Sequence, residues 1–307
     1  MGSRRSIVSL ALSVCLVVLA SCGSTTKKQT SPSALGDNTI TVASFDFGES
    51  RLLAELYSQA LENDGFAVKR AFNLGPREFV SPALTSGLVE FLPEYAGTAL
   101  QFLSLGAARS GSDASLTHAV LDRALRDTSL RALAAAPAQN SNAFVVTRTT
   151  AIRYGLRTLS DAAKVGNQLT FGGPPECSTR EFCLVGLEKV YGLKFRDVVA
   201  LDVGGPLTQQ ALRSGGIDVA LLFSTDPSIT DDHFVVLQDD RGLLEAENVT
   251  PIVRAEVLER WPTISRTVDA VSQRLTTDAL RELNAELGSG TTDVAAIAAA
   301  WLKGTSG

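Results

Sequence analysis

The pattern of apolar and polar positions predicts alternating strands and helices in the first third of the chain. Residues 39–45, TITVASF, alternate and are β-branched, which is typical of a strand. Residues 49–63 then place leucine, tyrosine and alanine at helical spacing. The next predicted elements are a strand at 66–72, a helix at 78–86 and a strand at 88–92 that Pro93 ends. This β-α-β-α-β order favours a parallel sheet covered by helices.

A linker at 106–113, GAARSGSD, precedes a second α/β unit. Helical spacing predicts a helix from Ser115 to Ala135, because Pro137 stops it. The elements predicted after it are strands at 143–147, 168–171, 197–201, 217–223 and 250–254, and helices at 158–165, 182–191 and 207–215. From 255 to 303 the pattern predicts helices throughout.

Two segments 128 residues apart match in register. ALTSGLVEFLPEYAGT at 83–98 aligns with ALRSGGIDVALLFSTD at 211–226, and Tyr95 falls on Phe223. Ligands of open α/β sheets bind outside the carboxyl ends of the strands. We therefore expect two similar lobes with Tyr95 and Phe223 facing each other across a cleft. The alternatives are a chance match of common α/β patterns and two aromatic residues that belong to the cores.

The N-terminus has the pattern of an export signal. Arg4 and Arg5 precede an apolar run of 14 residues, which suits a signal-peptide core and is short for a membrane span. LASCG at 19–23 resembles the lipobox of bacterial lipoproteins, which implies that Cys22 carries a lipid and anchors the protein to the membrane. The alternatives are an ordinary secreted protein with an incidental Cys22 and N-myristoylation. Residues 25–37 have the composition of a flexible tether.

Charge and cysteine content narrow the class of protein further. The net charge of −5 is unlike the excess of basic residues that is typical of nucleic-acid-binding proteins. Two cysteines remain beyond the leader, Cys177 and Cys183, and an exported protein resides where disulfides persist. We expect them to form a disulfide that closes a loop around Arg180. A C-x5-C zinc half-site is the alternative, although no second pair of ligands follows nearby.

The chain has the features of a binding protein and lacks the common motifs of enzymes. It contains no G-x-S-x-G, H-E-x-x-H or G-x-x-x-x-G-K-[ST] motif and only two histidines. We therefore predict no catalytic residues, no metal and no cofactor. An exported, tethered, two-lobed protein is typical of solute capture by hinge closure.

The stretch FNLGPREFVSPALTSGLVEFLPEYAGTAL resembles the osmoprotectant-type substrate-binding proteins of ABC importers, whose solutes are glycine betaine, choline, carnitine or proline betaine. The segments IDVALLFSTD, LQDDRG and LTTDALRELNAEL resemble later parts of the same family, in order. The resemblance implies a type II periplasmic-binding fold: two α/β lobes, a two-segment hinge and a ligand cleft. It also implies as partners a small quaternary ammonium solute, an ABC permease and its ATPase.

The family holds the quaternary ammonium in a box of tyrosines by cation–π attraction. The resemblance implies that Tyr95 belongs to this box, that Thr98 meets a carboxylate of the solute and that Arg180 binds that carboxylate. The alternatives are a core tyrosine at 95, a helix N-cap at Thr98 and a solvated loop arginine at 180.

Four positions depart from the family pattern. Asn142, Phe223 and Glu247 stand where the family has tyrosines, and Phe45 stands where it has a lysine. These changes predict an altered specificity, for a larger, less charged, aromatic or hydroxylated solute, with Glu247 pairing a cation directly. A surface acid at Glu247 is the ordinary alternative.

The predicted organisation has four parts. They are a signal peptide at 1–21, a tether at 22–38, lobe 1 at 39–141 and 249–307, and lobe 2 at 142–248. Solute delivery to a permease is the predicted function. A cell-surface binding or sensor module on the same fold is the alternative.

Overall fold

The computed structural model describes residues 38–290 and 293–304. The predicted signal peptide at 1–21, the predicted lipidation site at Cys22 and residues 22–37 of the predicted tether lie outside these ranges. Within them, no helix is both long and apolar enough to cross a bilayer.

Ten strands lie in the described ranges. They are β1 (Thr39–Ala43), β2 (Ala67–Ala71), β3 (Phe91–Tyr95), β4 (Leu130–Ala132), β5 (Asn142–Val146), β6 (Thr170–Gly173), β7 (Asp197–Ala200), β8 (Val219–Phe223), β9 (Val235–Val236) and β10 (Val249–Arg254).

Helices connect and cover these strands. They are α1 (Gly48–Asn63), α2 (Arg77–Ser86), α3 (Ala96–Leu103), α4 (Ala114–Leu125), α5 (Arg148–Tyr154), α6 (Leu159–Val165), α7 (Leu184–Gly186), α8 (Pro206–Arg213), α9 (Ser228–Asp231), α10 (Ala255–Arg260), α11 (Ile264–Ser272), α12 (Thr277–Gly288) and α13 (Val294–Gly304). A π-helical segment, Leu187–Tyr191, continues α7, and 3-10 turns lie at Gly166–Gln168 and Pro175–Thr179.

The strands form two five-stranded mixed sheets within the described residues, with the orders β2-β1-β3-β10-β4 and β7-β6-β8-β5-β9. The predicted parallel pairing is confirmed for β1 with β2 and β3, whereas β10 runs antiparallel between β3 and β4. The second sheet repeats this plan, with β6 parallel to β7 and β8 and with β5 antiparallel to β8. We call the first sheet with its helices lobe 1 and the second sheet with its helices lobe 2.

Strand β3 begins three residues later than the sequence pattern indicated. Leu88 is 71% exposed, and the strand starts only at Phe91. The prediction that Pro93 ends the strand is wrong, because Pro93 faces Pro251 of β10 in the antiparallel register. Neither proline has an N–H to donate, so the two can oppose each other without leaving a donor unpaired. Tyr95 is consequently the last residue of the strand.

The predicted helix from Ser115 to Ala135 is also wrong in its second half. Helix α4 ends at Leu125, and the chain then forms β4 at the edge of the first sheet. The alanine-rich segment favours a helix by propensity, but pairing with β10 overrides this weak local preference.

Two chain segments, 133–141 and 237–248, connect the lobes. They meet in an antiparallel bridge between Gln139 and Asn248, and the Asn140 N–H donates to the Glu247 carbonyl at 2.9 Å. Each lobe has its own apolar core on the faces of its sheet. The paired segments therefore place Asn140 and Glu247 at the floor of the space between the two lobes.

Candidate functional site

A cavity lies between the lobes, above the paired connecting segments. About 80 Å³ of it is open to the centre of a water molecule, within about 680 Å³ of space between the lining atoms that includes the mouth open to solvent. Its lining residues are Phe47, Arg77, Tyr95, Thr98, Gln101, Phe102, Asn140, Asn142, Arg180, Phe182, Val203, Phe223 and Glu247. Six of the seven positions singled out in the sequence line this cavity: Tyr95, Thr98, Arg180, Phe223, Asn142 and Glu247.

Strand ends bring three of these residues to the cavity. Tyr95 is the last residue of β3, and Phe223 is the last residue of β8. Asn142 begins β5 and lies opposite Phe223 in the antiparallel register. Its side-chain amide donates to the Phe182 carbonyl at 2.9 Å, which fixes the orientation of Asn142.

Phe47 joins the aromatic residues of the two lobes. Its ring stacks on Tyr95 with centroids 6.1 Å apart and on Phe223 with centroids 5.4 Å apart. Phe45 does not line the cavity: it is 2% exposed and stacks behind Phe47 at 6.0 Å. Phe47 therefore occupies the cavity wall, and Phe45 supports it from the core.

Thr98 and Glu247 form a polar contact across the cavity floor. The Thr98 N–H donates to Glu247 Oε2 at 3.1 Å, and the Thr98 hydroxyl donates to Glu247 Oε1. Thr98 is not a helix N-cap, because α3 begins at Ala96, after Tyr95. Nor is Glu247 a surface acid: it is 6% exposed, and burial raises the pKa of its carboxyl to about 7.

A second carboxylate near the cavity is neutralised by arginine. Arg77 donates from Nε to Glu94 Oε1 at 2.9 Å and from Nη2 to Glu94 Oε2 at 2.8 Å. Its guanidinium also lies 4.7 Å from the centroid of the Phe45 ring. The pairing gives Glu94 a structural role, whereas Glu247 has hydroxyl and amide partners and faces the cavity.

Arg180 extends from lobe 2 to lobe 1. It donates from Nη2 to Glu78 Oε2 at 2.9 Å and lies 3.7 Å from Glu176. The predicted disulfide between Cys177 and Cys183 is confirmed, and it closes the loop that carries Arg180. Among the described residues, no group of three or more histidine, cysteine or acidic side chains is placed to hold a metal.

Seven lining residues were not singled out in the sequence: Phe47, Arg77, Gln101, Phe102, Asn140, Phe182 and Val203. Two of them stand at positions in the sequence that could have identified them. Phe47 follows the first strand by four residues, and Phe182 stands beside Cys183 at the end of the cysteine loop. The others come from separate segments and meet only in the folded chain.

The arrangement is suited to holding a cation. Five aromatic side chains line the cavity in the described part of the chain: Phe47, Tyr95, Phe102, Phe182 and Phe223. Aromatic faces attract cations, and the attraction strengthens as water is removed. Neither histidine of the sequence lines the cavity.

Comparison with known proteins finds a matching family model and related binding proteins. A family model described as the substrate binding domain of the ABC-type glycine betaine transport system matches residues 38–304. The carnitine transport binding protein OpuCC of Listeria monocytogenes is 27% identical over 255 residues, which are 81% of this chain and 81% of that protein. The ergothioneine transport permease/ergothioneine binding protein EgtU of Helicobacter pylori is 24% identical over 82% of this chain, but the match spans only 45% of that relative.

Solved structures agree with the fold. The crystal structure of a glycine betaine/carnitine/choline ABC transporter matches with a TM-score of 0.68 and 25% identity, over 86% of this chain and 98% of that one. Apo YehZ from Escherichia coli matches with a TM-score of 0.61 and 25% identity, over 87% and 99%. The predicted periplasmic-binding fold with two α/β lobes is confirmed.

Proposed function

Because the chain belongs to the family of substrate-binding domains of ABC-type glycine betaine transport systems, we propose that it is the extracytoplasmic component that captures a trimethylammonium solute. In this function the lobes close on the solute, and the closed form delivers it to a permease driven by an ATPase. The observation that carries the proposal is the cavity itself, where five aromatic side chains and the Glu247 carboxylate surround one space.

The aromatic residues support a cationic head group. By the family pattern, one box tyrosine and one phenylalanine remain, at Tyr95 and Phe223. In the cavity, Phe47, Phe102 and Phe182 supply three further rings from positions outside that pattern. Each ring in contact with a desolvated ammonium contributes about 0.5–2 kcal/mol. The altered sequence is therefore compatible with tight binding of a cation.

Charged groups at two ends of the cavity support a zwitterionic solute. The Glu247 carboxylate at the floor pairs with the ammonium, while Arg180 at the lobe boundary binds a solute carboxylate. Arg180 is already paired with Glu78, whose oxygen lies 2.9 Å away. A solute carboxylate therefore shares this arginine with Glu78, and its affinity is lower than for a free arginine.

The polar side chains point to a solute with an additional group. Asn142 and Gln101 line the cavity and have the capacity to bind a hydroxyl or a heteroaromatic ring. Two relatives are named for carnitine and ergothioneine, which carry such groups on a trimethylammonium betaine. We infer that the solute is a betaine of this larger kind rather than glycine betaine.

We also infer that residues 1–21 are removed on export, that Cys22 is lipidated and anchors the protein to the outer face of the membrane, and that 22–38 is a tether. Lobe 1 then comprises 39–141 and 249–307, and lobe 2 comprises 142–248. Substituting Cys22→Ala and following release of the protein from membranes tests the anchoring.

Calorimetric titration of the delipidated protein tests the choice of solute. We expect carnitine or ergothioneine to bind with micromolar affinity and more tightly than glycine betaine, because glycine betaine has no hydroxyl or ring to pair with Gln101 or with the side-chain oxygen of Asn142. Choline serves as the probe for a cation without a carboxylate. If glycine betaine binds with the same micromolar affinity as the other solutes, the inferred specificity is wrong. If none of these solutes binds, the proposed function is wrong.

A matched pair of variants tests the aromatic wall. Phe47→Leu removes a ring that lines the cavity and is expected to weaken binding of the best solute by about 3–30-fold, which corresponds to about 0.5–2 kcal/mol. Phe45→Leu removes a ring that does not line the cavity, so it is expected to lower the melting temperature and leave affinity within about twofold. Equal losses of affinity in the two variants would contradict this assignment.

A further inference from the structure

One buried carboxylate outside the cavity connects several parts of the molecule. Glu49, in the first turn of α1, is 6% exposed. Its oxygens accept hydrogen bonds from Tyr95 Oη at 2.7 Å and from Asn140 Nδ2, Thr225 Oγ1 and Asn284 Nδ2 at 2.6 Å each. Burial raises the pKa of Glu49 above its ordinary value, and these four hydrogen bonds oppose this increase only in part.

The four donors come from four different segments. Tyr95 ends β3 in lobe 1, and Asn140 lies in the first connecting segment. Thr225 follows β8 in lobe 2, and Asn284 lies in α12 of lobe 1. Asn284 Nδ2 also donates to the Thr225 carbonyl at 3.3 Å. Thr225 therefore makes two hydrogen bonds to lobe 1, one from its hydroxyl to Glu49 and one to its carbonyl from Asn284. One carboxylate therefore holds the cavity tyrosine from one lobe and a hydroxyl from the other.

Two cavities flank this carboxylate. Tyr95 and Asn140 line the cavity described above. Glu49, Thr225 and Asn284 line a second cavity, which shares Phe47, Val203 and Phe223 with the first. Glu49 thus lies in the partition between the two spaces, at the point where the lobes touch beneath the aromatic wall.

We infer that Glu49 is a positioning residue that couples the orientation of Tyr95 to closure of the lobes. This inference rests on the proposed function, because it takes the cavity lined by Tyr95 as the solute site. When the lobes separate, Thr225 leaves, so Glu49 Oε2 keeps only the Asn284 amide as a partner, while Oε1 keeps Tyr95 and Asn140. A hydrogen bond to a buried carboxyl oxygen offsets part of the cost of removing that oxygen from water, so losing the Thr225 hydroxyl disfavours separation of the lobes. The closed arrangement of the lobes and the fixed arrangement of Tyr95 are therefore favoured together.

The neutral character of the donors supports this role. Tyrosine, threonine and two asparagines supply the hydrogen bonds, so none of these four donors carries a charge that would neutralise the carboxylate by itself. A solute that packs on the Tyr95 ring acts on the same network, because the Tyr95 hydroxyl and the Thr225 hydroxyl bind the same carboxylate. Solute contact in lobe 1 is thereby transmitted to lobe 2 over two hydrogen bonds.

Thr225→Val is the most direct test, since it keeps the shape of the side chain and removes the hydroxyl. Thr230→Val in α9 is the matched control, because Thr230 is exposed and is not a partner of Glu49. We expect Thr225→Val to dissociate carnitine or ergothioneine about tenfold faster, with the association rate nearly unchanged. Thr230→Val is expected to behave as the native chain does.

Small-angle X-ray scattering measures closure independently of affinity. The radius of gyration is compared among the native chain, Thr225→Val and Thr230→Val, without solute and with saturating carnitine, ergothioneine or choline. We expect a larger radius for Thr225→Val than for the control in at least one of these states. A radius and a dissociation rate that match the control in every state would overturn the inference. If the native chain binds no solute, the proposed function fails, and the comparison without solute still decides the inference.

A double-mutant cycle separates coupling from general destabilisation. Glu49→Gln is expected to weaken solute binding more than Thr225→Val, because the NH2 group of the glutamine then faces the NH2 donor of one asparagine, Asn140 or Asn284. Adding Thr225→Val to Glu49→Gln is then expected to change the dissociation rate less than about threefold, since the carboxylate to which the Thr225 hydroxyl donates is already lost. Additive effects on the dissociation rate would show that Thr225 does not act through Glu49.

Discussion

Replacing Arg77 with methionine is expected to lower the free energy of unfolding by about 3–5 kcal/mol, because it leaves Glu94 as a buried, unpaired carboxylate. The Arg77 and Glu94 side chains are 8% and 2% exposed, and two hydrogen bonds join them. The substitution also leaves the charge of Glu94, which acts on Glu247, without the arginine that neutralises it. Urea unfolding followed by circular dichroism measures the change.

The matched control is Arg281→Met. Arg281 pairs with Asp278 at 2.8 Å, but the two side chains are 50% and 87% exposed, so this change is expected to cost less than about 1 kcal/mol. Combining Arg77→Met with Glu94→Leu removes both charges and is expected to recover much of the loss. The predicted role of the pair is wrong if Arg77→Met costs no more than Arg281→Met.

Binding of choline is expected to strengthen about tenfold between about pH 6 and pH 8, because Glu247 has a pKa of about 7 and must ionise to pair with a cation. The ionised fraction rises from about one tenth to about nine tenths over this interval. Choline is a suitable probe because its ammonium group does not titrate. Thr98 and Arg77 lower this pKa and Glu94 raises it, but burial has the largest influence.

The stability of the solute-free protein is expected to change in the opposite direction. Folding raises the pKa of Glu247 above its ordinary value of 4.5. The contribution of this group to stability is therefore fully present below about pH 4.5 and is lost as the pH rises through about 7, by up to about 3 kcal/mol. Melting temperatures measured without solute, relative to Glu247→Gln, follow this contribution.

Glu247→Gln is the control for both measurements. It removes the titrating group, so choline binding is expected to be weak and nearly independent of pH in this interval. Affinity of the native chain that stays flat or falls as the pH rises would mean that Glu247 does not pair with the cation.

The sequence predicted the general architecture and six of the residues that line the cavity, and the reasons are specific. Tyr95 and Phe223 were found because each ends a strand in one of two matching segments, and strand ends converge by the geometry of the sheet. Thr98 follows Tyr95 closely, so it reaches the same cavity. Arg180 lies in a loop that two cysteines delimit, and this loop lies against lobe 1.

Other features depended on contacts that no local pattern records. Phe45 and Phe47 are two residues apart, and their separation into core and cavity depends on where α1 begins. Strand β4 is only three residues long and exists because β10 offers it an edge. The burial of Glu247 follows from the pairing of two segments more than 100 residues apart.

The position of β10 in the first sheet has a consequence for the order in which the chain folds. Lobe 2 takes its strands from one uninterrupted stretch, 142–236, whereas lobe 1 needs β10, at Val249–Arg254, between β3 and β4. During synthesis, lobe 2 can therefore complete its sheet while β3 still has an open edge, and such long-range pairing forms slowly. Glu247 arrives just before β10. The floor of the cavity is thus assembled in the same step that completes lobe 1, and a chain that has not finished folding has no complete cavity between its lobes.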